Sequence, residues 1–180
     1  MAELKGSKTF ENLATAFAGE SMARNKYDYF ASQAKKDGYE QISAIFAETA
    51  GNEKEHAKLW YKYMNGGEVS DTATNLKAAA EGEHGEWTVM YKEFAEVARA
   101  EGFKEIAIRF ENVAKIEAEH EKRYLKFLEN IEKGLVFARE GKTVWFCRNC
   151  GHIFVGEKAP QSCPVCSHPQ SYFELKADNY

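Results

Sequence analysis

Proline is missing from the first 135 residues and cysteine from the first 146, although the 180-residue chain holds three prolines and four cysteines. Without proline nothing in the sequence interrupts long helices over that stretch. With all the cysteines between 147 and 166, no disulfide framework can span the chain. No run approaches the ~20 consecutive apolar residues a membrane span needs. Basic tracts are also lacking: Lys and Arg number 24 against 28 acidic residues, a net charge of -4, which argues against nucleic-acid and membrane-surface partners. The opening MAELKGSKTF has no apolar segment of a secretory signal, so a cytoplasmic location is expected.

What is present is an apolar content of 44%, 13% aromatic, enough for a real core, arranged with helical period up to about residue 135. Four helices are expected over 8–36, 39–65, 72–100 and 103–132. Ser7 or Thr9 and Asp71 or Thr72 serve as caps, and Gly38, Gly66-Gly67, Gly102 and Gly134 as stops. Long helices with short turns make a bundle. After Gly141 the composition changes to prolines, cysteines and short aromatic runs. The expected organisation is a four-helix bundle over 1–135, a linker over 136–142, and a small β-and-loop module over 143–180.

The helical part repeats itself. Tyr27, Phe30, Ala34, Gly38, Ile42, Phe46, Ala50, Glu53 and His56 recur 64 positions later as Tyr91, Phe94, Ala98, Gly102, Ile106, Phe110, Ala114, Glu117 and His120. Each half is a helix pair, and the second pair reads as a copy of the first.

Acids stand on the apolar stripes of these helices. In "IEAEHEKRY" Glu117 and His120 share a face with Phe110, Val113 and Phe127, a stripe that should point at the core. Glu20 lies among Phe10, Leu13, Phe17, Tyr27 and Ala31; Glu53 and His56 among Ile42, Ile45, Thr49 and Leu59; Glu83 among Leu76, Ala80, Met90 and Phe94, with Glu86 one turn on. A buried unpaired carboxylate is costly, so something positive is expected beside these. One inward Glu from each of two helices, plus Glu-x-x-His from each of the other two, is the ligand set of carboxylate-bridged di-iron or di-manganese bundles. Carboxylates bridge two hard cations and cancel their charge, and imidazole suits iron.

Two departures from the repeat stand out. Glu20 to Glu53 spans 33 positions and Glu83 to Glu117 spans 34, so the third helix carries one extra residue between Glu83 and Tyr91. A π-bulge is the simplest way to absorb it. Glu86 has no acidic counterpart, and reads as a further ligand or a solvated acid; His56 reads as a ligand or a core histidine. Tyr27 and Tyr91, beside the acids, read either as core residues bonding a ligand carboxylate or as redox or proton-handling groups. Trp60 and Trp87 read as packing.

"CRNCGHIF" and "CPVC" give Cys147, Cys150, Cys163 and Cys166 as two C-x-x-C knuckles. Four thiolates so spaced hold one tetrahedral metal, zinc or iron.

These seven bundle residues followed by C-x-x-C-G and C-P-x-C, with "AFAGESMARNKY", "EHAKLW" and "EHEKRY", resemble the rubrerythrin family over essentially the whole chain. The resemblance implies a mainly α protein: a ferritin-like bundle with two iron ions and a rubredoxin-like Fe(Cys)4 domain. It implies that Glu53 and Glu117 bridge, that Glu20 and Glu83 are terminal ligands, and that His120 holds the second iron. Glu86 and His56 would alternate on the first, the carboxylate when oxidised and the imidazole when reduced. Ser167 stands where free rubredoxins usually have glycine, which puts the local turn in question. The implied activity is reduction of hydrogen peroxide to water, with electrons from rubredoxin or an NAD(P)H-linked reductase. A ferroxidase, oxidase or iron-storage protein, and a zinc-ribbon module on a metal-stabilised bundle, are the rival readings.

The connector after the second helix bears on assembly. If Glu53 and Glu83 sit level and the second and third helices point the same way, as the resemblance to ferritin-like bundles implies, the helix ends near Asn65 and Thr72 are about 34 Å apart along the axis. Gly66–Asp71 reaches at most roughly 25 Å. A homodimer swapped between helix pairs 8–65 and 72–132 is therefore expected, and a dimer is also what the resemblance implies.

Overall fold

A computed structural model describes residues 3–178; the outermost ends of the ranges 1–135 and 143–180 lie outside them. The helices are α1 (Lys8–Lys36), α2 (Glu40–Met64), α3 (Thr72–Gly85), α4 (Tyr91–Ala100) and α5 (Lys104–Glu132). Between α3 and α4 the chain runs as a π-helix over Glu86–Met90, so the extra residue is absorbed where the repeat arithmetic puts it. Ser7 caps α1 by accepting from the Phe10 N–H, and Asp71 caps α3 by accepting from Ala73 and Thr74. The repeat-related Gly38 and Gly102 end their helices at φ 85° and 89°, backbone that glycine adopts without strain.

The chain divides into two compact units, one up to Ser70 and one from Asp71 onward. The division falls inside the range 1–135 read as a single bundle. In the first unit α1 packs along α2; in the second, α3 and α4 pack along α5. Small residues let the helices approach: Ala31, Ala34, Ala50 and Ala57 are buried in one pair, and Ala80, Ala95, Ala98 and Ala107 in the other.

The pairs repeat each other in detail. Tyr27, Phe30 and Phe46 form a ring cluster with centroids 5.6–6.2 Å apart. Tyr91, Phe94 and Phe110 form its counterpart at 5.6–6.4 Å. The apolar stripes themselves are not covered as expected. Ile42, Ile45 and Leu59 are exposed in the first unit, and Phe94 and Phe127 in the second. A two-helix layer buries only the seam between its helices, which is why the rest of each stripe stays open.

The C-terminal module is a three-stranded antiparallel sheet in the order β2-β1-β3, with β1 at Ala138–Cys147, β2 at Ile153–Lys158 and β3 at Phe173–Leu175. Residues 138–142, read as linker, belong to β1. Ala138 pairs Lys158, and the register shifts before Thr143 around Gly141 at φ 78°. The bulge hides the strand signal, because the alternation of period two is broken there. The module's core is Trp145, Cys147, Ala159, Cys163 and Phe173, and Trp145 donates its indole N–H to the Gly156 carbonyl at 3.0 Å.

Candidate metal centres

α1 and α2 bring Glu20, Glu53 and His56 together, and α3 and α5 bring Glu83, Glu117 and His120 together. In each trio the ligand atoms lie within 4.8 Å of one another. The geometry is repeated almost to the ångström. His56 Nδ1 lies 2.8 Å from Glu53 Oε2 and 3.8 Å from Glu20 Oε1. His120 Nδ1 lies 2.7 Å from Glu117 Oε2 and 3.6 Å from Glu83 Oε1. The carboxylates are mostly sheltered, with side-chain exposure of 16% at Glu53 and 14% at Glu117, while His56 is half exposed.

Crowded carboxylates should resist sharing their charge. Glu83 shows it: burial first, then the charge of Glu117, hold its carboxyl above the ordinary range. Glu86, the first residue of the π segment, stands outside the trio, yet it adds to the pressure on Glu83. Tyr91 is pushed up by burial and then by Glu86, Glu117 and Glu83. Neither the Tyr27 nor the Tyr91 hydroxyl bonds a carboxylate among the described residues; both tyrosines make ring contacts instead.

In the C-terminal module Cys147 Sγ lies 3.8 Å from Cys166 Sγ, and Cys150 Sγ lies 3.6 Å from Cys163 Sγ. These are not disulfide lengths. They match the ~3.8 Å edge of a tetrahedron whose centre is about 2.3 Å from each sulfur. The knuckles mirror each other: Gly151 N–H donates to the Cys147 carbonyl at 2.9 Å, and Ser167 N–H to the Cys163 carbonyl at 2.9 Å. Gly151 sits at φ 79° and Ser167 at φ 59°, so the turn in question forms with serine in the left-handed region. The His152 N–H lowers the Cys150 thiol, but burial and the neighbouring thiols carry it up to about 12. The His168 N–H, helped by other thiols, draws Cys166 down to about 6. One thiol drawn down and another pushed up within a single tetrahedron suit a cation at its centre.

The family model for rubrerythrin matches residues 11–128, and that for the rubrerythrin rubredoxin-like domain matches 145–174. The chain belongs to the rubrerythrin family. The rubrerythrin of Porphyromonas gingivalis is 53% identical over 188 residues, covering 98% of this chain and 94% of its own. That of Nitratidesulfovibrio vulgaris is 52% identical over the whole of both chains. Nigerythrin from the same organism is 34% identical, covering 92% of this chain and 85% of its own. The rubrerythrin cofactors fit these donor sets: two iron ions for the carboxylates and histidines, and one iron for the four thiolates. Among the described residues no helix is long and apolar enough to cross a membrane.

One group beside the centre escaped the sequence reading. Trp87, read as packing, donates its indole N–H to Glu121 Oε2 at 2.5 Å, and His84 Nδ1 lies 3.0 Å from Glu121 Oε1. Lys92 stands over the Trp87 ring at 5.5 Å. A signal was available: Glu121 is a half-buried acid at a position whose repeat counterpart is Ala57.

Proposed function

We propose that this chain is a cytoplasmic peroxidase that reduces hydrogen peroxide to two waters, taking up two electrons and two protons. Glu53 and Glu117 would serve two irons as bridging ligands, Glu20 and Glu83 as terminal ligands, and His120 as a ligand of the second. Glu86 and His56 would serve the first in turn, since an anionic oxygen favours ferric iron and a neutral nitrogen ferrous. When bound, the paired irons would supply a two-electron reduction and the thiolate-held iron a one-electron inlet from rubredoxin or an NAD(P)H-linked reductase. The sheltered carboxylates would orient the metals. Tyr91, held protonated beside Glu86 and Glu117, keeps a hydroxyl proton at the site.

The observation that carries this reading is the union, in one chain, of two carboxylate–histidine trios with a four-thiolate tetrahedron. Storage or ferroxidation needs no such electron inlet. The test is a stopped-flow trace of anaerobically reduced protein mixed with stoichiometric peroxide, then with dioxygen. Rapid return of the ferric Fe(Cys)4 colour with peroxide and slow return with dioxygen is expected. Preference for dioxygen would make the protein an oxidase; absence of the colour would make the module a zinc ribbon.

The active form is a homodimer in which the pair α1–α2 of one chain completes the site with α3–α5 of the other. With α2 and α3 pointing the same way, as in a ferritin-like bundle, level placement of Glu53 and Glu83 requires about 33 Å between Met64 and Thr72, at 1.5 Å per residue. The intervening seven residues reach at most about 29 Å, and Gly67 N–H folds back to the Lys62 carbonyl. Covering Ile42, Ile45, Leu59, Phe94 and Phe127 adds about 1.5–3 kcal/mol for each side chain fully buried. Co-expression of a chain lacking Glu20 and Glu53 with one lacking Glu83 and Glu117 tests the swap. A swapped dimer regains one intact di-iron site; an intrachain bundle regains none.

A further inference from the structure

We propose that Glu121 is a positioning residue: it clamps Trp87 and His84, fixes the π turn at Glu86–Met90, and so sets where Glu86 points. The clamp is made of the neighbours of three ligands. His84 follows Glu83, Trp87 follows Glu86, and Glu121 follows His120. Adjacent helical residues point about 100° apart, so these three project away from the metal donors toward one another. Glu121 receives Trp87 Nε1–H on one oxygen at 2.5 Å and faces His84 Nδ1 with the other at 3.0 Å. Both its oxygens are engaged, its side chain is 17% exposed, and it takes no place in the metal trio.

One carboxylate on α5 thus ties down a residue ahead of the π turn and a residue inside it. Thr88 adds a third tie by donating its hydroxyl to the His84 carbonyl. An extra residue in a helix can migrate along it; ties on one residue ahead of the turn and on two inside it hold it between Glu83 and Tyr91. The first helix pair is the internal control. There the counterparts of His84 and Glu121 are Ser21 and Ala57, and the place of Trp87 falls to Ala23 or Arg24. α1 runs unbroken through them from Lys8 to Lys36. Clamp and π turn occur together in one half and are both lacking in the other.

The consequence for metal binding rests on the reading of Glu86 as a ligand, and the test separates the two. In the metal-free full-length protein, the ¹⁵N-edited NMR spectrum should show a downfield, slowly exchanging Trp87 indole N–H, assigned by its loss in W87F. It should lose that protection in E121A and keep it in E121Q, whose amide can still accept from Trp87 and donate to His84. In Co(II) titrations followed optically, the equivalents beyond the thiolate-bound one should weaken about 10–100-fold for one site in E121A. W87F, which keeps the ring, should weaken it in the same sense, and E121Q should stay near wild type. Wild-type cobalt affinity and spectrum in E121A and W87F would overturn the clamp, as would E121Q failing alongside E121A. If E86A leaves the cobalt titration unchanged, the ligand reading of Glu86 falls, while the indole resonance still decides whether Glu121 holds the turn.

Discussion

Glu83 Oε1 on α3 stands 3.6 Å from His120 Nδ1 on α5, so two helices meet at an acid and a base before any metal is added. That proximity offsets only part of the crowding, because burial and Glu117 still hold the Glu83 carboxyl above its usual 4.5. A carboxyl raised on folding favours the folded state below its ordinary range, and the advantage is lost as pH rises through the raised value. Above that raised value the metal-free protein carries the penalty.

Glu83→Gln should therefore raise the melting temperature of the metal-free protein at pH 7 by a few degrees while weakening metal binding. The gain should shrink as pH falls toward 4. Paired thermal melts and Co(II) titrations check both; a metal-free variant less stable than wild type at pH 7 would refute the crowding argument.

Ser167 at φ 59° holds a conformation that costs a non-glycine residue about 1–2 kcal/mol, part of which glycine would return as lost chain entropy. Ser167→Gly should slow metal release from the cysteine module to a chelator, with a stabilisation of up to about 1 kcal/mol. Gly151→Ala, at the mirror position, should speed it. Equal release rates in all three proteins would mean that the knuckle turns do not limit metal retention.

Asp71 accepts from the Thr74 hydroxyl and from the Thr74 and Ala73 N–H groups, and the Thr74 bonds hold it below its usual 3.8. A depressed carboxyl stabilises above its unfolded value, and the effect is lost as pH falls through the folded one. Asp71→Ala should lower the melting temperature at pH 7, and the gap to wild type should close below pH 4. Asp71→Asn, a cap without a titrating charge, should keep a nearly constant advantage over Asp71→Ala across the same range.

Trp145 is fully buried and bonded to the Gly156 carbonyl. Trp145→Phe leaves that acceptor without its donor, at a cost of about 1–3 kcal/mol. Denaturant unfolding of the iron-loaded protein measures it; a change under 0.5 kcal/mol, on the same scale, would show that water replaces the indole.

Much of this was legible in the sequence for stated reasons. Helix limits followed from caps and glycines whose chemistry is local, and the π turn followed from counting between Glu83 and Glu117 against Glu20 and Glu53. The Glu-x-x-His pairs followed from helical spacing within one element, and Glu20 and Glu83 from their place on an apolar stripe. What was not legible depends on distance in sequence or on layers. The Trp87–Glu121 bond joins residues 34 apart and leaves no periodic trace. The start of β1 at Ala138 was masked by a bulge. The open stripe through Ile45 and Phe94 was read as core, because periodicity says which side of a helix is apolar and not what lies against it.

The inserted residue at Glu86–Met90 has a consequence for how a duplicated protein comes to differ from itself. Two identical helix pairs would each offer a metal the same donors, with no reason to behave differently. One additional residue in one copy ends that equivalence. Where α1 has Met22 or Ala23, the π turn opens with Glu86, and the two copies are no longer interchangeable.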